Sequence, residues 1–131
     1  MVGDTAGDGA RSSVGDGMTH ADLLREIVIA ASKRGHRLFV VNTGVGWMGE
    51  VLRRSADTIT IRNPRPIRAG LVRGGSDLIG WTSSGRFAAL EGKVGRDKTS
   101  DEQARFIAAV IQAGGVAGVV RSVDDAMGVL G

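Results

Sequence analysis

The order of helical and strand-like segments along the chain predicts an α/β fold, with a mixed central β-sheet flanked by helices. Apolar residues recur at helical spacing in residues 21–34 and again in residues 101–113. Several short apolar runs between these segments, and one more after the second, have the length and composition of strands. A short capped segment follows the last run. An order of helix, strands, helix, strand and helix favours a mixed sheet with helices on both faces.

Length and composition predict one folded domain, residues 19–131, behind a disordered tail. The chain has 131 residues and is 42% hydrophobic, which suffices for one ordinary core. Residues 1–18 are rich in glycine and aspartate and carry almost no bulky apolar side chain, so they cannot offset the entropy lost on ordering. They resemble no signal peptide, and no later apolar run approaches membrane-spanning length. We therefore expect a cytoplasmic protein.

The chain contains no cysteine. Disulfides, thiolate nucleophiles and cysteine-based zinc sites are therefore excluded. The two histidines, His20 and His36, have no neighbour at ligand spacing, and we expect both at the surface. Catalysis by a histidine base is correspondingly disfavoured.

The first half of the chain predicts a helix, a buried strand and a hairpin. The helix, residues 21–34, begins after a cap at Thr19 and ends at Gly35, and residues 37–41 form the strand. Residues 42–49 are glycine-rich and predict a loop. Residues 51–54 and 58–62 predict the two strands of the hairpin, and Pro64 and Pro66 are expected to end its ladder.

A second hairpin is predicted at the centre of the chain. Residues 78–82 and 86–94 are largely apolar and are separated by the three-residue loop Ser83-Ser84-Gly85. If the loop is centred on Ser84, residues whose numbers sum to 168 stand opposite one another, so Asp77 faces Glu91. Opposed residues on an antiparallel pair have Cβ atoms roughly 4.5–5.5 Å apart. Residues two apart on a strand share a face, so Lys93 joins the two carboxylates.

Two neighbouring carboxylates repel unless a positive charge lies between them. Oxygen ligands suit Mg²⁺ or Mn²⁺, so Asp77 and Glu91 are candidate metal ligands, and the carbonyl of Gly92 between Glu91 and Lys93 is a further one. A bound cation of this kind supplies the chemistry of phosphodiester hydrolysis. The alternative is that Asp77 ends a turn after two glycines, while Glu91 and Lys93 form a solvated pair on an exposed strand.

Arginines are concentrated in one stretch of the chain, and few acidic residues occur among them. Such a cluster is a plausible phosphate-binding surface, although a solvated basic face leaves the same pattern. The arginines in question are Arg53, Arg54, Arg62, Arg65, Arg68 and Arg73.

The spacing of Asp77, Glu91 and Lys93 is that of the PD-(D/E)XK nuclease superfamily, with its restriction-endonuclease-like core. Further elements occur in the matching order around it, and together they resemble the VRR-NUC family of virus-type replication-repair nucleases over roughly residues 21–128. These elements are Glu26, Asn42-Thr43-Gly44, Gly74-Gly75-Ser76, Gln103, Gly115-Val116 and Val119-Val120-Arg121-Ser122. Gly92 departs from the family pattern, in which a branched apolar residue is common.

The resemblance implies a Mg²⁺- or Mn²⁺-dependent DNA endonuclease of replication, recombination or repair, in a bacterial or phage-infected cytosol. Asp77 and Glu91 would bind the metal and Lys93 would assist the attacking water. The helix glutamate and the later glutamine of the family correspond to Glu26 and Gln103. Stand-alone members are similar to Holliday-junction resolvases and act as homodimers, so branched DNA is the expected substrate.

Other functions are compatible with the same fold. A non-catalytic DNA-binding module would keep the fold without turnover, and metal-dependent activity would distinguish the two. A sequence-specific, restriction-like enzyme would need a target-recognition segment, for which 131 residues leave little room. The resemblance also adds Asn42 to the arginines as an expected DNA contact.

Overall fold

A computed structural model describes residues 17–131, which divide into two compact units. The hairpin unit is Asn42–Val72, and the rest of the described chain forms the core unit. The tail predicted for residues 1–18 lies, except for its last two residues, outside the described part. Met18 packs against the hydrophobic core. No helix in the described part is both long and apolar enough to cross a membrane.

The core unit is a mixed four-stranded sheet flanked by helices, which confirms the predicted fold class. Its elements, with those of the hairpin unit in their place in chain order, are α1 (His20–Lys33), β1 (Arg37–Val40), β2 (Gly44–Arg54), β3 (Ile59–Ala69), β4 (Leu78–Trp81), β5 (Phe87–Gly92), α2 (Asp101–Gln112), β6 (Val116–Val120) and α3 (Val123–Leu130). The strand order is β1-β4-β5-β6, with β5 and β6 parallel and the other pairs antiparallel.

Capping sequences begin both longer helices where the sequence predicts. Thr19 and Asp22 form a capping box at the start of α1, and Ser100 and Gln103 form another at the start of α2. Each box satisfies two backbone N–H groups that the first helical turn leaves unpaired. The N-terminus of α2, and with it the side chain of Gln103, is therefore held at a defined place.

The core lies between the sheet and the packed pair α1 and α3. The buried side chains of α1 include Leu23, Leu24 and Ile27, which recur at helical spacing and form one face. They pack in one cluster with Leu78 and Leu90, which stand opposite each other on β4 and β5. Helix α2 contacts β5 and β6, the two parallel strands that it connects.

The hairpin unit is a two-stranded antiparallel ribbon that is longer than predicted. Residues 44–49, expected as a loop, belong to β2, and β3 continues through Pro64 and Pro66. Both expectations were wrong. Each strand of a two-stranded ribbon is paired on one side only. On the open side no ladder hydrogen bond uses a backbone N–H, so a proline that faces this side breaks no ladder bond. Asn63, with φ of 49°, lies at an irregularity in the pairing.

Candidate active site

The register of the central hairpin brings Asp77 next to β5. Leu78 pairs with Leu90 and Trp81 with Phe87, so the register predicted from a loop centred on Ser84 is confirmed. Asp77 immediately precedes β4, and the same register places it opposite Glu91. Its backbone carbonyl accepts a hydrogen bond from the Val41 N–H at 2.8 Å, which anchors this position to the end of β1.

The Asp77 carboxylate contacts both β5 and α1. Its Oδ2 accepts a hydrogen bond from the Gly92 backbone N–H at 3.0 Å and lies 3.0 Å from Nε2 of His20. The same His20 nitrogen lies 3.1 Å from the carbonyl oxygen of Gly92. Asp77 Oδ2, His20 Nε2 and the Gly92 carbonyl therefore form one polar cluster, in which the Asp77 side chain is 25% exposed.

Glu91 is a carboxylate held almost completely away from water. It is 4% exposed, and burial raises the pKa of its carboxyl group above the ordinary value of 4.5. The negative charge of Asp77 raises that pKa further, while Lys93 lowers it by charge and by a hydrogen bond. The carboxylates of Asp77 and Glu91 are thus close enough to repel each other, as the sequence predicts.

Gln103 connects Glu91 and Lys93 to the start of α2. Its amide nitrogen donates to Glu91 Oε2 at 2.6 Å, and its Oε1 accepts from Lys93 Nζ and from the Ser100 N–H, both at 3.0 Å. Lys93 Nζ also lies 3.4 Å from Glu91 Oε2. Gln103 therefore acts as a helix cap and as a partner of the two charged groups at the same time.

A backbone contact fixes the position of Lys93. Its N–H donates to the carbonyl of Val120 at 3.0 Å, so the chain stays attached to β6 one residue beyond the end of β5. The Lys93 side chain is only 12% exposed. Its ammonium group is consequently directed by its partners rather than by water.

The packing around Gly92 leaves little room for a side chain. A Cβ at this position would lie 2.8 Å from Leu24 Cδ2 and 3.7 Å from His20 Nε2. The first distance is shorter than carbon atoms tolerate, so a larger residue would displace the α1 side chains. The second distance is an ordinary contact, so Leu24 rather than His20 is the side chain that a Cβ at this position would crowd.

The oxygen atoms around Asp77 and Glu91 fit a hard divalent cation. Oε1 of Glu91 is buried without a hydrogen-bond partner among the described residues, although buried polar atoms nearly always have one. Within residues 17–131 no three His, Asp or Glu side chains are arranged to hold a metal. Mg²⁺, however, is usually bound through one or two carboxylates and keeps several waters. Asp77, Glu91 and the Gly92 carbonyl are such a donor set.

The structure does not bring Glu26 to this cluster. Glu26 is exposed on α1, and no hydrogen bond or ion pair joins it to the described residues of the site. At about 100° per residue, the six positions between His20 and Glu26 place them about 120° apart around the helix. His20 is on the same face as Leu23, Leu24 and Ile27, and that face packs against the sheet.

His36 contradicts the expectation that both histidines lie at the surface. His36 is buried, and its Nδ1 accepts a hydrogen bond from the Ser83 N–H at 2.9 Å. His20 is partly exposed but contacts Asp77 and Gly92, which lie 57 and 72 positions away in the chain. Spacing between neighbours cannot reveal such contacts. The one sequence signal is that His20 precedes Leu23, Leu24 and Ile27 by three, four and seven positions, on the apolar face of α1.

The predicted DNA-contacting residues are all exposed. Arg73 belongs to the core unit, where its Nε lies 3.0 Å from Glu102 Oε2. In the hairpin unit, Arg62 pairs with Glu50 at 3.3 Å and Arg65 donates to the sulfur of Met48 at 3.4 Å. The other residues of this set, all in the hairpin unit, are Asn42, Arg53, Arg54 and Arg68.

Comparison with known protein families gives one match over most of the chain. The model of one protein family, described as the VRR-NUC domain, matches residues 19–124 of the 131. The match covers α1, both units, α2, β6 and the start of α3. No curated protein matches the chain.

Proposed function

The chain belongs to the VRR-NUC family, which implies a nuclease-type function on DNA, and on this premise we propose that it is a metal-dependent endonuclease. The observation that carries the proposal is the pair of carboxylates, Asp77 and Glu91, held together beside Lys93. Glu91 is buried close to a like charge and keeps one oxygen without a partner. Such an arrangement is unfavourable by itself and becomes favourable when a cation lies between the carboxylates.

In this proposal Asp77, Glu91 and the Gly92 carbonyl hold Mg²⁺ or Mn²⁺. Once bound, such a cation would activate a water for attack and would neutralise charge on the phosphodiester oxygens. The chain itself orients the ligands. The Gly92 N–H fixes Asp77 Oδ2, and Gln103 together with Lys93 engages Oε2 of Glu91, leaving Oε1 for the cation.

Lys93 serves as the positive group beside the reacting phosphate. Its ammonium nitrogen has three protons, and the contacts with Gln103 Oε1 and Glu91 Oε2 occupy no more than two of them. The remaining proton can bond the attacking water or a phosphate oxygen. A donor held in place before the reaction stabilises developing charge without costly reorganisation.

The hairpin unit is proposed to bind the DNA backbone. Arg53, Arg54 and Arg68 are exposed on a ribbon in which Glu50 and Asp57 are the acidic residues among those described. Arginine contacts to phosphate supply affinity without sequence preference. Asn42, exposed at the start of this unit, is proposed as a further contact.

We further propose that the protein acts as a homodimer and that its substrate is branched DNA. The ribbon exposes several large apolar side chains, among them Val45 at 76% and Trp47 at 63%. A two-stranded hairpin alone is only marginally stable in water, and exposed apolar side chains of this size are typical of an interface with another surface. A second copy of the chain would bury these side chains in a dimer interface. The two active sites of such a dimer suit the symmetric cutting of a DNA junction.

Cleavage of a substrate panel tests this function. Purified protein with Mn²⁺ or Mg²⁺ is incubated with a four-way junction, a flap, a nicked duplex and a linear duplex. We expect the junction to be cut with either metal and not in excess EDTA. Asp77→Ala and Lys93→Ala are expected to abolish cutting and to leave junction binding within a few-fold of the parent.

Matched controls use residues of the same type outside the site. Asp97→Ala and Lys98→Ala change exposed side chains and should cut as well as the parent. Glu26→Ala tests the helix glutamate separately, since retained cutting would remove Glu26 from the site. Junction binding without cutting by the parent protein, with any of these metals, would instead favour the non-catalytic DNA-binding module.

A further inference from the structure

His20 occupies an unusual place between two proposed metal ligands. Its Nε2 lies 3.0 Å from Asp77 Oδ2 and 3.1 Å from the Gly92 carbonyl oxygen. One ring N–H cannot bond two acceptors at full strength. A single nitrogen atom of the imidazole thus contacts both the Asp77 carboxylate and the Gly92 carbonyl.

His20 Nε2 is separated from each of the two oxygens by the distance expected between neighbouring ligands on one cation. In an octahedral site with bonds of about 2.1 Å, adjacent ligand atoms lie about 3.0 Å apart. The two distances from His20 Nε2 are 3.0 and 3.1 Å. The spacing of His20 Nε2 from Asp77 Oδ2 and from the Gly92 carbonyl oxygen is therefore that of ligands sharing a cation.

The surroundings of His20 also permit its nitrogen to bind a metal. A metal ligand must be a neutral imidazole whose Nε2 carries a lone pair, with the proton on Nδ1. Nδ1 of His20 has no hydrogen-bond partner among the described residues, so no contact there opposes this tautomer. The side chain is 41% exposed, which leaves water free to bond an Nδ1 proton.

We propose that His20 Nε2 is a nitrogen ligand of the divalent cation held by Asp77 and the Gly92 carbonyl. The inference rests on the proposed metal-dependent function and assigns to α1 a ligand other than Glu26. Without the cation, the Nε2–H bridges Asp77 and Gly92 and keeps both oxygens near their binding positions.

A nitrogen ligand changes which metals the site prefers. Imidazole suits transition metals, whereas carboxylate, carbonyl and water ligands suit Mg²⁺ as well as Mn²⁺. Asp77, Glu91 and Gly92 alone would discriminate little between Mg²⁺ and Mn²⁺. With His20 added, the site should bind Mn²⁺ more tightly than Mg²⁺.

Metal binding without DNA tests the proposal independently of cutting. Titration calorimetry measures Mn²⁺ and Mg²⁺ affinities, and pulsed electron paramagnetic resonance of bound Mn²⁺ detects coupling to a directly bonded ¹⁴N nucleus. The variants are His20→Ala, which removes the ring, and His20→Gln, whose amide can still donate to Asp77 and Gly92. Asp77→Ala, which removes a proposed ligand altogether, serves as the variant with impaired metal binding.

The expected results separate a ligand from a residue that only positions its neighbours. The parent should show ¹⁴N coupling, and both His20 variants should lose it together with roughly tenfold or more of the Mn²⁺ affinity. The loss for Mg²⁺ should be smaller in His20→Gln. His36, the other histidine, accepts a hydrogen bond from the Ser83 N–H at its Nδ1 and is present in the parent and in both variants. A loss of ¹⁴N coupling in the variants is therefore due to His20.

Three outcomes would overturn the proposal. Mn²⁺ binding by the parent without ¹⁴N coupling, or with His20→Gln at parental affinity, would make His20 a positioning residue. Tighter metal binding in His20→Ala would make it a competitor of the cation. No Mn²⁺ or Mg²⁺ binding by the parent would instead refute the metal-dependent function itself.

Discussion

Replacing Gln103 with alanine is expected to remove two contributions to stability at once. The side chain closes the capping box of α2 and also bonds Glu91 and Lys93. Loss of the capping-box hydrogen bond between the Ser100 N–H and Gln103 Oε1 costs about 1 kcal/mol, and loss of a hydrogen bond to a charged group costs about 1.5–3 kcal/mol. The free energy of unfolding should therefore fall by roughly 2.5–4 kcal/mol, or about 10–15 °C in Tm for a domain of this size.

The capping contribution can be measured separately with Ser100→Ala. Ser100 Oγ accepts the Gln103 N–H in the same box but touches neither Glu91 nor Lys93. This variant should lose only about 1 kcal/mol. Gln103→Glu keeps an acceptor for the Ser100 N–H but brings a negative charge to Glu91, so it should be less stable than Ser100→Ala at neutral pH.

Urea and thermal denaturation in EDTA give these free energies without interference from metal. If Gln103→Ala is no more destabilised than Ser100→Ala, the bonds to Glu91 and Lys93 contribute nothing to stability. The account of Gln103 as the residue that holds the site together would then be refuted.

Three more predictions concern the site and the hairpin unit. Because the pKa of Glu91 is raised, the folded protein binds this proton more readily than the unfolded chain, so the free energy of unfolding of the parent falls as the pH rises from 4.5 through the raised pKa. Glu91→Gln, measured in EDTA, should lack this fall. A difference in unfolding free energy between the parent and Glu91→Gln that does not change with pH would contradict the raised pKa. Gly92→Ala should cost about 1–3 kcal/mol in thermal denaturation because its Cβ crowds Leu24, and an unchanged Tm would disprove that packing. Arg54→Gln should weaken junction binding and reduce the salt slope by about 1, while Arg105→Gln on α2 should not; equal slopes in binding titrations would remove the ribbon from the DNA interface.

The central hairpin could be predicted from sequence because its physics is local. A three-residue loop determines which residues stand opposite, and a slip of one residue would expose Leu78 and Leu90 to water. The opposition of Asp77 and Glu91 followed from that register alone. The capping boxes at Thr19 and Ser100 were equally local, and both begin helices where expected.

The contacts of α1 and the extent of the ribbon could not be predicted in this way. Which side of α1 meets Asp77 depends on how the helix packs on the sheet, and this packing brings His20 rather than Glu26 to the carboxylate. The prolines of β3 indicated a break because the usual rule applies to strands paired on both sides. In a ribbon with open edges, Pro66 instead stands opposite Trp47.

Single-turnover cutting of a four-way junction tests the central claim most directly. Parent protein and Asp77→Asn are compared at DNA concentrations where both are saturated, with Mn²⁺ and with EDTA. We expect the parent to cut with Mn²⁺ and not in EDTA, and we expect Asp77→Asn to cut at least a hundredfold more slowly, as is typical when a group that stabilises transition-state charge is lost. Cutting by the parent in EDTA, or equal rates for the two proteins with Mn²⁺, would contradict the assignment of Asp77, Glu91 and Lys93 as a metal-dependent nuclease site.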